Sequence, residues 1–403
     1  MSTSTPTTWT PTRTTPTPDS ALSLAIAPVA AEVFERDHWE REPLHVPRDE
    51  PRRFDHLLSA ADAERLITEP GLRYPGFRLV KAGARLAPGG YTTDLSWRPV
   101  PFAGTADVER ILAEFEGGAT IVLQALHLQR VSVALYCREL EARLGHPVQA
   151  NAYLTPRCSQ GLPVHHDTHD VFVLQVSGSK RWLVYEPVLE LPLKHQRYRP
   201  ALGRPGAAVL DVVLRPGDAL YLPRGWLHEA LTSDADSLHL TVGVNVHTWI
   251  DAFRAALERC EHEVAFRRAA EDGSAAEALV HRLAAELDPA RVATARRQRL
   301  LRGRRPVLDG QLGQLRALDA LDVDSVVERR PAVLAECIAT DGHVELAFDG
   351  KRIRLPSRAA AAVGLLVETG TPVRVSDLPG LDDSGRLVLV RRLVREGFLR
   401  TVS

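Results

Sequence analysis

The chain has 403 residues, with 50 Lys plus Arg against 51 Asp plus Glu, a net charge of −1 and 44% hydrophobic residues. That length implies two or three domains, and the near-zero charge gives no general drive toward nucleic acid or an anionic membrane. Four scattered cysteines (Cys137, Cys158, Cys260 and Cys337) with no CxxC spacing argue against a zinc ribbon or a disulfide framework and fit a reducing cytoplasm; no apolar run approaches membrane-spanning length.

Residues 1–22 are rich in Ser, Thr and Pro and lack the apolar stretch of a secretory signal, so they read as a disordered tail. From residue 30 to about 130, short helices such as 60–68 and 106–115 alternate with strands, and 131–146 reads as an amphipathic helix. Between 148 and 246 strand follows strand, broken by Gly, Pro and Asp turns. This pattern predicts a double-stranded β-helix, the jelly roll in which two sheets close around a pocket. We assign 23–248 to that domain. Residues 249–335 form a helical region, because few breakers interrupt the apolar spacing from 247 to 302. Its basic run RRQRLLRGRR, residues 296–305, fits a solvated helix end or a contact with RNA. Residues 336–403 read as a winged-helix-like domain: a strand pair (VELAF, KRIRLP), a helix over 357–368, a turn, and a final helix through Leu399. With ten basic and eight acidic residues over 341–403, DNA binding is disfavoured, and a structural or protein-docking role is expected. The fold class is α+β.

The chemistry concentrates in VHHDTHDVFVLQV and YLPRGWLH. His165 and Asp167 stand two apart, and His228 follows 61 positions after Asp167. Residues i and i+2 of a strand share a face, so His165 and Asp167 can grip one ion, with His228 arriving from a neighbouring strand. Two imidazoles and one carboxylate are the ligand set of a non-haem Fe(II) oxygenase, with positions left open for cosubstrate and dioxygen. His169 shares their face one step further along and reads as pocket wall, whereas His166 and Asp170 face away. His239 and His247 read as structural. Lys180 is one of only four lysines, with Lys81, Lys194 and Lys351, in a chain that prefers Arg. An ammonium aimed into an apolar barrel calls for an anion such as a cosubstrate carboxylate; the alternative is a lysine snorkelling at a strand edge.

The stretch NAYLTPRCSQGLPVHHDTHDVFVLQVSGSKRW, with GDALYLPRGWLHEAL and SLHLTVGV after it, resembles the JmjC-type 2-oxoglutarate oxygenases of the ribosomal-oxygenase (cupin-4) family. FERDHWEREPLHV and GATIVLQALH upstream, and LPGLDDSGRLVLVRRLVREGFL at the end, extend the likeness from about residue 30 to the C-terminus. The resemblance implies Fe(II) held by His165, Asp167 and His228, 2-oxoglutarate paired with Lys180, and a substrate-lining role for Asn151 and Tyr153. It also implies a homodimer through the helical region. His166 stands where an aromatic residue is usual, Cys158 where a Gly is typical, Leu162-Pro163-Val164 where Phe-Ala-Pro is more usual, and Gly243 where some relatives place a Ser. These departures leave the ligands intact and bear on the substrate. The resemblance implies a protein hydroxylase acting on a ribosomal protein, and the cysteine usage places it in the cytoplasm. The alternatives are an oxygenase that tailors a ribosomally made peptide or other natural product, and a non-enzymatic jelly-roll binding protein.

Overall fold

The computed structural model describes residues 21–69, 71–97, 100–270 and 273–402. Residues 1–20 of the expected tail lie outside these. The tail's last two residues depart from expectation: Ala21 and Leu22 open a helix, Ala21–Ile26, and both are buried in the main core.

Among the described residues, thirteen strands precede the helical region: β1 (Leu44–Val46), β2 (Phe77–Lys81), β3 (Ala84–Arg85), β4 (Thr92–Trp97), β5 (Val100–Ala106), β6 (Thr120–Leu123), β7 (Val148–Thr155), β8 (Asp170–Gly178), β9 (Lys180–Tyr185), β10 (Ala208–Leu214), β11 (Ala219–Leu222), β12 (Leu227–Leu231) and β13 (Ser237–Val244). The larger sheet runs β1-β11-β8-β13-β7-β6-β2-β3, and β10-β9-β12 form a smaller sheet. This is the jelly roll of a JmjC/cupin fold. Its pairings within the barrel are antiparallel.

Strand β8 shows why the barrel closes. Its run VFVLQV is buried on both faces, which explains a continuous apolar stretch in place of simple alternation. Phe172, Leu174 and Val176 join the core that packs the larger sheet against helices, with Phe34 and Tyr221. Val171 and Val173 point the other way, toward Trp182, Val184, Leu220 and Leu222 between the sheets. The β8–β9 turn needs glycine: Gly178 has φ +62°, and a Cβ there would lie 1.7 Å from the Asp236 carbonyl oxygen.

Local signals fix the flanking helices. Ala60–Thr68 begins with a Ser59/Asp62 capping box, and Val131–Leu144 stops at left-handed Gly145. The expected helix over 106–115 is observed as Val108–Glu116. After the barrel come helices Trp249–Cys260, Ala276–Glu286 and Pro289–Gly303.

The expected boundary at 335/336 moves. Strand β14 (Val326–Arg329) lies in the span read as helical, yet it pairs with β18 (Val373–Arg374) and β19 (Leu399–Thr401). Leu318, Leu321 and Val327 pack in the C-terminal core. A second sheet holds β15 (Ala335–Thr340), β16 (His343–Phe348) and β17 (Lys351–Pro356). The last helix is Asp383–Glu396, not one running through Leu399: Gly397 at φ +80° ends it, and Leu399 starts β19. No helix among the described residues is long and apolar enough to cross a membrane.

Candidate metal centre and its pocket

His165 and Asp167 lie on an extended segment just before β8 rather than inside a strand. His228 is the second residue of β12. The backbone joins the distant ligands directly: the His165 N–H donates to the His228 carbonyl at 3.1 Å, and the His228 N–H donates to the His165 carbonyl at 2.8 Å. Asp167 is tied next to them through its carbonyl, which accepts from Gly225 N–H at 3.1 Å. The imidazole centroids of the two histidines stand 4.4 Å apart, and one ligand atom from each of the three residues falls within 4.8 Å of the others.

Both rings are oriented from behind. His165 Nδ1 lies 2.8 Å from the Pro163 carbonyl oxygen and His228 Nδ1 3.1 Å from that of Trp226. A carbonyl only accepts, so each Nδ1 carries the proton and each Nε2 offers its lone pair to the centre. Burial, then the neighbouring His165, bring His228 down to about 4, so it is a neutral ligand at ordinary pH. Burial pushes the Asp167 carboxyl up, but His169, His165, His228 and His166 together outweigh it and hold the group below its usual value. The donor set is thus two imidazoles, each with its Nε2 turned to the centre, and an ionised carboxylate, which fits a divalent transition metal.

Lys180 begins β9 and is 5% exposed. Its Nζ donates to the Thr155 hydroxyl at 2.9 Å, and that hydroxyl also accepts from Thr120 at 3.2 Å. No carboxylate pairs with it among the described residues, and burial pulls its pKa down to about 7. A buried ammonium whose hydrogen-bond partner is a neutral hydroxyl suits an anion. Arg181 is not such a group: it is exposed and paired with Asp211 at 2.5 Å. Nor is Arg224, which pairs with Asp170 at 3.1 Å and also with Glu40.

One cavity of about 990 Å³ contains both sites, with Asn151 and Tyr153 in its wall. The Asn151 side-chain carbonyl accepts from the Ala125 N–H at 2.9 Å, so its orientation is fixed. Alternation along β7 puts Gln149, Asn151, Tyr153 and Thr155 on one face. Thr155 was thus within reach of the pattern that singled out its neighbours. His239, expected to be structural, also lines the cavity. It opposes Tyr153 across the β7–β13 pair, its ring stacks on that phenol (5.1 Å between centroids, 1° between planes), and it meets Trp182 edge-on at 5.5 Å. Its position two residues before Thr241 on the inward face of SLHLTVGV was the signal. His169 lines the same cavity, as its shared face with Asp167 implied. His166 is buried, with Nε2 3.0 Å from the Gln196 carbonyl oxygen, and so pins the loop that carries Lys194. Asp170 does face away, beneath Tyr221 and Arg224.

Residues 126–252 match the JmjC domain family. The "Bifunctional lysine-specific demethylase and histidyl-hydroxylase NO66" of Drosophila persimilis is 34% identical over 227 residues, 55% of this chain and 31% of that protein. Mouse "Ribosomal oxygenase 2" is 32% identical over 56% of this chain and 47% of its own length. Rat "Ribosomal oxygenase 1" is 30% identical over 92% of this chain and 59% of its own. The chain thus spans about a third to somewhat over half of the length of these relatives. The crystal structure of Escherichia coli ribosomal oxygenase YcfD has the same fold, with a TM-score of 0.54 at 16% identity, covering 93% of this chain and 98% of that one. Another YcfD structure, in complex with cobalt and 2-oxoglutarate, matches at a TM-score of 0.53. The chain therefore carries a JmjC domain and is similar, over most of its length, to the ribosomal oxygenases.

Proposed function

We propose that the protein is an Fe(II)- and 2-oxoglutarate-dependent hydroxylase acting on a side chain of a polypeptide, foremost a ribosomal protein. One observation carries this: a three-residue metal site and a buried, unneutralised lysine open into the same cavity. A keto acid with a second carboxylate is the ligand that uses both. Bound Fe(II) and 2-oxoglutarate supply the oxidising chemistry.

The chain's residues bind, orient and exclude water. His165, Asp167 and His228 would hold the ion as three protein ligands. Lys180, steadied by Thr155, would meet the distal carboxylate. Val171, Val173 and Trp182 give that region a largely apolar wall, which strengthens the charge pairing. Asn151 and Tyr153 would place the substrate side chain. The complete triad beside Lys180 weighs against a binding protein without chemistry. The relatives' names support a polypeptide substrate: ribosomal oxygenases and a histidyl-hydroxylase.

Two further features belong to this reading. Helix Trp249–Cys260 exposes Trp249 (68%), Phe253 and Leu257, an apolar stripe at helical spacing that fits a two-fold dimer contact. The C-terminal pair of three-stranded sheets with its two helices is winged-helix-like and is read as a docking element. A cytoplasmic setting fits four unpaired cysteines.

The deciding experiment is iron-dependent conversion of 2-oxoglutarate to succinate by the wild type and by His165→Ala, Asp167→Ala and His228→Ala. Each variant is expected to keep its melting transition and lose turnover. Full turnover in a folded His228→Ala protein would remove the assignment. Asn151→Ala and Tyr153→Phe are expected to slow product hydroxylation more than succinate release.

A further inference from the structure

The mouth of the cavity carries charge that the mechanism above leaves unused. There the helical region closes over the barrel. Arg254 of helix Trp249–Cys260 and Arg299 of helix Pro289–Gly303 line the opening, together with Lys194 and Arg197 from the loop pinned by His166. All four are exposed, and none forms an ion pair within 4.0 Å among the described residues. Elsewhere on the same two helices, Arg259 and Arg291 both pair with Glu286, at 2.6 and 2.5 Å. Asp251 also lines the cavity. One of its oxygens, Oδ2, accepts from the Thr248 N–H at 3.0 Å and from the Thr248 hydroxyl at 2.9 Å. The chain's net charge is −1, so the cluster is a local feature and not a consequence of a basic protein. Its field reaches the wall: His247 lies below its usual pKa through burial and then through Arg299, with Arg296 and Lys194 adding to it.

We propose that this mouth selects polypeptide segments bearing carboxylates beside the side chain that enters the cavity. The inference rests on the polypeptide-hydroxylase reading and narrows it. Guanidinium groups grip carboxylates in bidentate fashion, and unpaired ones at a concave rim reject basic segments by like-charge repulsion. Among segments of a basic substrate protein, acidic stretches are the ones that fit. A single-stranded nucleic acid would seek exposed aromatic faces for stacking. In the loop, Tyr198 packs edge-on to His166 at 5.7 Å and donates its hydroxyl to the Gly203 carbonyl at 3.1 Å, while the exposed Trp249 and Phe253 belong to the stripe read above as the dimer contact.

The test is fluorescence anisotropy on the full chain with three labelled probes: decaglutamate, decalysine and a ten-nucleotide single-stranded RNA. Decaglutamate is expected to bind the wild type best. Its affinity should fall about tenfold or more in Arg254→Glu/Arg299→Glu and stay unchanged in Arg181→Glu, a reversal on the outer face of the smaller sheet. Should the double variant fail to melt cooperatively, Lys194→Glu/Arg197→Glu poses the same question from the loop. Equal decaglutamate affinity in wild type and reversed mouth overturns the proposal. So does tighter binding of decalysine, or RNA binding that exceeds decaglutamate and is lost in the reversed mouth. Succinate formation by the wild type, measured separately, decides the hydroxylase reading whatever the mouth prefers.

Discussion

A Cβ on residue 243 would lie 3.0 Å from Cε1 and 3.1 Å from Nδ1 of His169, so glycine there is what leaves room for the imidazole beside the metal site. His169 Nδ1 is buried without a hydrogen-bond partner, and the ring is the strongest of the imidazole influences on Asp167. The Gly243 departure thus has a physical account: the volume that a serine would fill at this position is filled by the histidine.

Gly243→Ser should therefore displace His169 by a few tenths of an ångström, costing on the order of 1 kcal/mol in stability and slowing turnover several-fold. His169→Ala in the same chain should relieve the crowding. A double-mutant cycle from melting curves is expected to show coupling of about 0.5 kcal/mol or more. Strictly additive effects would mean that the two residues do not communicate.

Lys180 should control both cosubstrate affinity and a pH-dependent part of stability. Its folded pKa of about 7 lies below the ordinary lysine value of 10.5. Between these, the unfolded chain binds more protons than the folded one, so stability from this residue rises with pH across roughly 7 to 10.5. Below that window the ammonium is buried as a charge and its penalty is fully present. Lys180→Met is expected to stabilise the cosubstrate-free protein most at pH 6 and to raise the KM for 2-oxoglutarate about tenfold or more. Paired melting curves at pH 6 and 9 with KM measurements check this. A variant less stable than wild type at pH 6, with unchanged KM, would place the anion site elsewhere.

What the sequence disclosed was what alternation and local punctuation encode. Ser59 with Asp62 announced helix Ala60–Thr68, and Lys180–Tyr185 was legible as a strand because Ser177-Gly178-Ser179 precedes it. His165 and Asp167 were readable as a pair turned to one side because residues i and i+2 of extended chain share a face. What stayed hidden depends on partners distant in sequence. β14 looks like part of a helical span until β18 and β19 supply its hydrogen bonds. His239 reads as an ordinary core histidine until the β7–β13 register sets it opposite Tyr153. The cationic mouth comes from three separate segments: the basic run 296–305 supplies Arg299, but Arg254, Lys194 and Arg197 reach the same cavity from elsewhere in the chain.

Arg304 is another such case, and it carries a prediction. Its side chain is 1% exposed, and its Nε lies 2.9 Å from Glu141 Oε2 and 3.8 Å from Asp349 Oδ1. Arg138 adds a contact of 3.1 Å to Asp349. The cluster joins the barrel's helix Val131–Leu144 to the end of the helical region and to the β16–β17 turn, where Gly350 N–H also donates to the Leu301 carbonyl at 2.8 Å. Arg304→Ala would leave two buried carboxylates undercompensated, at a cost of about 3–5 kcal/mol. We expect a large drop in melting temperature, with the C-terminal domain becoming protease-sensitive before the barrel. Arg304→Met/Glu141→Leu/Asp349→Leu should recover much of the loss. Wild-type stability in Arg304→Ala would show that the domains are held together by other contacts.

The dimer reading is the most exposed to direct measurement. On helix Trp249–Cys260, residues 249, 253 and 257 recur at four-residue intervals, so their side chains stack along one stripe, and Ile250 widens it. Their exposures are 68%, 44% and 47%, with Ile250 at 43%, while Ala256 and Cys260 of the same helix are buried against the rest of the chain. The helix therefore has two apolar sides and uses only one of them internally. A second copy would supply the apolar surface that the outer side lacks, since a two-fold axis would set the same stripe against itself. Light scattering at micromolar concentration should give twice the monomer mass for the wild type. Trp249→Asp/Phe253→Asp should halve it without losing the cooperative melt, because neither side chain belongs to the internal core. A wild type that stays monomeric would remove the dimer from the proposal, and a dimer that survives the double substitution would move its interface to another surface.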